Sequence, residues 1–74
     1  MKDNEFSALM RGMVLKRQVG ETGIMIKLDG RGGLIERTFN SASGKTIGTR
    51  TIDHVDVALL ELNDWTILPA VTPF

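Results

Sequence analysis

The sequence predicts an α+β domain, mostly β, in which a short N-terminal helix packs against a small twisted antiparallel sheet or partly closed barrel of four to six strands. Apolar residues at helical spacing open the chain, and short apolar runs separated by turn residues follow them. A chain of 74 residues forms one domain. We assign residues 1–68 to this compact domain and residues 69–74, which hold two prolines, to an extended C-terminal tail.

The predicted helix begins near the N-terminus and ends close to Gly12, which disfavours a helix interior. Asp3 or Asn4 is the expected N-terminal cap. Four apolar residues lie at i, i+3, i+4 and i+7, the spacing of one helical face: Phe6, Leu9, Met10 and Met13. We interpret Phe6, and also Trp65 further along the chain, as part of the hydrophobic core.

Strands are predicted at residues 13–19, 24–28, 34–39, 46–52 and 65–68, because these runs alternate or are rich in β-branched residues. Asp29-Gly30 is a favoured hairpin dipeptide, since glycine accepts positive φ without steric cost. Residues 53–62 fit either a helix or a strand by periodicity. The neighbouring strand signals favour a strand there.

Gly44-Lys45-Thr46 has the last three residues of a phosphate-binding loop. Such a loop needs a glycine five positions before Gly44, where this chain has Phe39, and it must open a helix. Residues 46–52, which follow Lys45, are rich in β-branched residues instead and are interrupted by Gly48. We therefore interpret the tripeptide as a turn between two strands and expect no nucleotide site.

His54 is the only histidine, and the chain has no cysteine. Asp53 and Asp56 flank this histidine, but a structural zinc site needs four ligands. Neither Ser41 nor Ser43 belongs to a pattern that would activate a nucleophile. We expect no metal, no cofactor and no enzymatic activity.

Charge is divided unevenly along a chain that is neutral overall. Residues 1–50 hold nine Lys and Arg against five Asp and Glu, a net charge of +4, whereas residues 51–74 hold four acids and no Lys or Arg, a net charge of −4. This division indicates a polarised surface for a charged partner, unless the two halves form ordinary surface ion pairs. No apolar run is long enough for a membrane span or signal peptide, so we expect a cytoplasmic protein.

Two sets of side chains are candidates for binding. Methionines suit adaptable protein interfaces, and an aromatic residue in a tail suits a partner groove. The protein-binding set is Met10, Arg11, Met13, Lys16, Arg17, Arg31 and Phe74. A second set of cations could follow a phosphate backbone across the strands: Lys27, Arg37, Lys45 and Arg50.

In its size, lack of cysteine and charge polarity, the chain resembles the small phage-encoded regulators of host RNA polymerase. The resemblance implies a non-enzymatic protein, a monomer or weak homo-oligomer, that docks on a larger complex such as RNA polymerase and inhibits or modulates transcription. These regulators share no fold or motif, so no residue role is carried over. Two alternatives are a small β-barrel that binds single-stranded nucleic acid nonspecifically and a homo-oligomer built through open sheet edges.

Overall fold

The computed structural model describes residues 1–52 and 61–74 and confirms the predicted fold class. One helix precedes a five-stranded sheet in which every paired neighbour is antiparallel. The elements are α1 (Asp3–Met10), β1 (Val14–Val19), β2 (Thr22–Leu28), β3 (Leu34–Asn40), β4 (Thr46–Ile52) and β5 (Thr66–Leu68). Most of the ambiguous segment 53–62 lies outside the described residues.

The sheet has the strand order β4-β3-β2-β1-β5. The first four strands follow one another as hairpins, and β5 returns to pair with β1 on the opposite side from β2. Within the described ranges β4 and β5 are the two edges, and the sheet is not closed into a barrel. Of the two predicted forms, the structure therefore adopts the antiparallel sheet and not the partly closed barrel.

Side-chain and backbone hydrogen bonds fix the β2–β3 and β3–β4 connections. In the β2–β3 loop, Asp29 Oδ1 accepts the backbone N–H groups of Arg31 (2.7 Å) and Gly33 (3.1 Å). In the β3–β4 connection, Gly44 has φ of 72° and donates its N–H to the Asn40 carbonyl at 2.7 Å. The Gly-Lys-Thr tripeptide thus leads into a strand, as predicted.

The hydrophobic core consists of two clusters on opposite sides of the sheet. The first lies beneath α1 and contains Ala8, Leu9, Leu15, Ile26, Leu34 and Trp65. The second contains Val14, Met25 and Phe39, with Leu68 and Phe74 packed at its margin. Adjacent strand residues point to opposite sides, and for this reason neighbours such as Val14 and Leu15 belong to different clusters. The prediction that Trp65 is a core residue is confirmed.

The helix packs against the sheet through a different face from the predicted one. Its buried residues are Glu5, Ala8 and Leu9, whereas Phe6 is 41% exposed and Met10 is 60% exposed. The assignment of Phe6 to the core was therefore wrong. The buried face differs from the predicted one because the helix directs the carboxylate of Glu5 towards the sheet instead of the ring of Phe6.

The Glu5 carboxylate joins the start of the helix to the start of β5. Its Oε1 accepts the Lys2 backbone N–H at 2.7 Å, and its Oε2 accepts the Trp65 backbone N–H at 3.1 Å. Lys2 is the N-cap residue, so the prediction of a cap at Asp3 or Asn4 was wrong. Glu5 reaches back from the third helical position, which satisfies a backbone donor that the helix itself leaves unpaired.

Candidate anion-binding face of the sheet

Three cationic side chains from three adjacent strands lie on the side of the sheet opposite α1. Lys16 of β1 is the cross-strand partner of Met25 in β2, and Met25 is the partner of Arg37 in β3. Directly paired residues point to the same side of a sheet. Lys27 lies two positions beyond Met25 and therefore shares that side. We call the side that carries Lys16, Lys27 and Arg37 the basic face.

The basic face has no opposing charge among the described strands. Its other strand positions carry apolar side chains, threonine, glycine or glutamine, as the cross-strand register shows. None of the three cations forms an ion pair with a carboxylate of the described residues. Cations gathered without compensation produce a local positive potential, which attracts anionic partners.

Two aromatic rings lie beneath these cations. Lys16 Nζ is 5.5 Å and Arg37 Cζ is 5.2 Å from the centroid of the Phe39 ring. Lys27 Nζ is 4.7 Å from the centroid of the Phe74 ring. Each such cation–π contact contributes roughly 0.5–1 kcal/mol at an exposed site. The rings therefore favour particular positions for side chains that would otherwise sample many rotamers.

Phe39 is the floor of the basic face rather than an exposed platform. Its side chain is only 8% exposed, and it packs with Val14 and Met25 in the second core cluster. The ring lies across Gly23, its cross-strand partner, where a Cβ atom would stand 2.6 Å from Phe39 Cε2. A bare glycine backbone is thus what allows the ring to lie flat beneath two cations.

The Arg37 guanidinium is fixed by hydrogen bonds that extend towards the edge of the sheet. Its Nε donates to Thr46 Oγ1 at 2.8 Å, and its Nη2 lies 3.5 Å from the Gly44 carbonyl oxygen. Thr46 pairs with Phe39 and belongs to the first position of β4. Arg37 therefore presents an oriented, permanently charged fork, which suits carboxylate or phosphate oxygens.

Residues 69–74 fold back onto the same face. The Thr72 backbone N–H and hydroxyl both donate to the Pro69 carbonyl, at 3.0 Å and 2.6 Å. This turn precedes Phe74, whose half-buried ring packs against the second cluster beside Lys27. The Phe74 ring therefore lies next to the basic face. That Phe74 binds a partner stays a prediction.

The structure separates other members of the two predicted sets. Arg17 lies on the opposite side of the sheet, where its Nε donates to the Asn63 carbonyl at 3.1 Å. Arg50 is also on that side and forms a 2.8 Å ion pair with Glu36. Arg31 and Lys45 lie in exposed connections between strands. The basic face thus contains Lys16 from the protein-binding set, and Lys27 and Arg37 from the set of cations proposed to follow a phosphate backbone.

The helix residues of the protein-binding set form a separate surface. Met10 and Phe6 are one helical turn apart and both are exposed. Arg11 follows at the end of the helix and is also exposed. Met13 instead packs, partly buried, against the first core cluster.

Sequence reasoning missed Phe39 and Gly23 as determinants of the site. Strand alternation did contain a signal, because Phe39 and Arg37 are two residues apart in a predicted strand and so share a side. The pairing of Gly23 with Phe39 depends on strand register, which residue types alone do not specify.

Metal sites and membrane-spanning helices were also sought within residues 1–52 and 61–74. This part of the chain has no group of three or more Asp, Glu or His residues that could hold a metal ion. His54, Asp53 and Asp56 lie outside it. No described helix has the length and apolar character needed to cross a bilayer. Comparison of the chain with protein-family models, curated proteins and solved structures found no match.

Proposed function

We propose that this chain is a non-enzymatic regulator that docks its basic face on an acidic protein surface of a larger macromolecular assembly. The observation that carries the proposal is the set of three cations on adjacent strands, Lys16, Lys27 and Arg37, on a face whose described strand positions hold no acid. Charge complementarity of this kind accelerates encounter with an anionic surface and fixes its orientation.

The restricted side-chain motion of the three cations supports a role in binding rather than one in solubility alone. Side-chain ordering on association costs about 0.5–1.5 kcal/mol for each long side chain that becomes immobile. The three cations are already partly ordered before a partner binds, because Lys16 and Arg37 contact the Phe39 ring and Lys27 contacts the Phe74 ring. Binding therefore costs less side-chain entropy. A solvated lysine with no such contact would lose more freedom.

The first assembly to test is a bacterial RNA polymerase. This choice comes from the resemblance in size, absence of cysteine and charge polarity to phage-encoded polymerase regulators. Occupation of an acidic groove by the basic face would exclude another factor from that groove, and this is the form of inhibition we propose.

Nonspecific binding of single-stranded nucleic acid is the second candidate. It is favoured by one observation, the proximity of Lys27 and Arg37 to aromatic rings on the basic face. Base stacking, however, requires an accessible ring face, and Phe39 is buried. Neutralisation of three phosphates by the three cations would give a slope of about −2 in log affinity against log salt, from about 0.7 for each phosphate.

A pull-down with matched charge-reversal variants tests the proposal. The immobilised protein would be exposed to purified RNA polymerase and, separately, to bacterial lysate with partners identified by mass spectrometry. The test variant combines Lys16→Glu with Lys27→Glu. The control combines Lys2→Glu with Arg11→Glu, which reverses the same charge at two exposed residues away from the basic face.

We expect the test variant to lose the captured partner and the control to retain it. Equal capture by both variants would overturn the role of the basic face. Loss in the control alone would assign binding to the helix surface instead. Retention of a labelled oligonucleotide, with the steep salt dependence given above and no captured protein, would favour the second candidate.

A further inference from the structure

The outer edge of β4 is long and weakly protected against pairing with another strand. Six consecutive residues from Thr46 to Thr51 are exposed, and Ile47 in this edge is 64% exposed. Natural edge strands are commonly short or guarded by proline and by several charged side chains. β4 has seven residues, a single charged residue in Arg50, and no proline. Its pairing with β3 shifts register once, between Thr46 and Gly48, and is regular from Gly48 to Ile52. The opposite edge strand, β5, has only three residues.

Hydrogen bonding shows which backbone groups of β4 face outward. The Asn40 N–H donates to the Lys45 carbonyl, so the even-numbered residues of β3 direct their backbone groups to β4. The β4 partners of these residues include Gly48 and Arg50, and their backbone N–H and C=O groups point back to β3. By alternation, Thr49 and Thr51 direct their N–H and C=O groups away from the sheet. No strand of the described residues pairs with these groups, so an added strand could bond to them.

On the α1 side of the sheet, a hollow adjoins this edge. It has a volume of about 190 Å³ and is lined by Glu36, Thr38, Gly48, Thr49 and Arg50. A Cβ atom added at Gly48 would meet no atom within 4 Å. The space beside Gly48 could therefore take a small apolar side chain from a strand laid along β4.

On the other side, the edge is bordered by positive charge. The Arg37 guanidinium reaches across the first residue of β4 through its 2.8 Å hydrogen bond to Thr46. Side chains of an added strand alternate between the two sides of a sheet, so every second one would approach this charged border.

We propose that an extended acidic segment of the partner protein adds to β4 as a sixth strand. Its acidic side chains would lie on the basic face near Arg37, and the alternate side chains would be small and apolar and would enter the hollow beside Gly48. Main-chain hydrogen bonds to Thr49 and Thr51 would supply affinity, as in other cases of strand addition. This inference rests on the proposed function and specifies the form of its acidic partner.

The test uses a fluorescein-labelled nonapeptide in which glutamate alternates with valine. Its affinity is measured by fluorescence anisotropy for the full chain, for Thr49→Pro and for Thr49→Ala. Proline at position 49 removes an outward-facing N–H but no hydrogen bond to β3, so the fold is expected to tolerate it. Alanine removes the side chain and keeps that N–H.

We expect Thr49→Pro to weaken binding by about tenfold, corresponding to about 1.4 kcal/mol, and Thr49→Ala to change it by less than about twofold. Amide hydrogen exchange of the unsubstituted protein gives an independent measurement, which remains valid even if Thr49→Pro fails to fold. Exchange at Thr49 and Thr51 should slow when the peptide binds.

Equal binding by the proline and alanine variants, or unchanged exchange at both threonines, would overturn strand addition. Self-association through β4, detected by light scattering without peptide and abolished by Thr49→Pro, would also overturn it, by assigning the edge to a second copy. If Thr49→Pro binds normally while Lys16→Glu with Lys27→Glu does not, strand addition fails and the proposed function stands. If neither variant reduces binding, both fail.

Discussion

The Phe39 ring lies flat across the backbone of Gly23 in the neighbouring strand. A Cβ atom at position 23 would overlap the ring and stand 2.6 Å from its Cε2 atom. The pairing buries the ring in the second core cluster, with Lys16 and Arg37 over the ring. The geometry of the basic face therefore depends on the absence of a side chain from β2 at this position.

Substitution Gly23→Ala should destabilise the fold by about 1–3 kcal/mol, because the added methyl group forces the Phe39 ring out of its packed position. Urea unfolding followed by Trp65 fluorescence measures the change. An unchanged free energy of unfolding would show that the ring moves without loss and would contradict the packing described above.

Gly48→Ala is the matched control for this substitution. Gly48 is also a strand glycine, but a Cβ atom there would meet nothing within 4 Å. We expect a change in the free energy of unfolding within about 0.5 kcal/mol, as for ordinary surface substitutions. A loss as large as that of Gly23→Ala would indicate a general requirement for glycine in these strands rather than a specific contact.

Substitution Glu5→Ala should destabilise the fold by about 1–3 kcal/mol. The Glu5 carboxylate is buried and accepts the Trp65 N–H at 3.1 Å, so its removal leaves a buried donor without an acceptor. Asp3→Ala, which removes an exposed acid from the same helical turn, should cost only about 0.3–1 kcal/mol through the helix dipole. Thermal unfolding compares the two variants, and equal losses would contradict a specific role for Glu5.

Substitution Phe74→Ala should destabilise the fold by about 1–2 kcal/mol, less than truncation of a fully buried ring, because Phe74 is only partly buried in the second cluster. Val71→Ala in the same segment is the control, since Val71 is 89% exposed and should be neutral within about 0.5 kcal/mol. Chemical unfolding measures both variants. A neutral Phe74→Ala would show that the ring does not stabilise this face.

Much of the fold could be predicted because each strand carries its own local signal. The strand predicted at 46–52 has the observed bounds, and the other strand bounds agree to within two residues. The orientation of the helix could not be predicted from apolar spacing. It depends on a hydrogen bond between Glu5 and Trp65, which are 60 residues apart in sequence.

The composition of the candidate site was harder to predict than the strands. Alternation within one strand correctly separates Lys16 from Arg17, because adjacent residues point to opposite sides. Which cations of different strands lie side by side depends on register. The register joins Lys16 to Lys27 and Arg37, and it pairs Arg50 with Glu36 on the other side.

The most direct test of the central claim maps the contact surface of an acidic partner by NMR. The probe is a partner captured in the pull-down, and the signals followed are those of the Arg37 Nε–H group and the lysine side chains. We predict that the largest shifts occur at Lys16, Lys27 and Arg37, while the Arg11 side chain is unaffected. Shifts confined to Arg11 and the α1 surface, with the basic face unchanged, would contradict the claim.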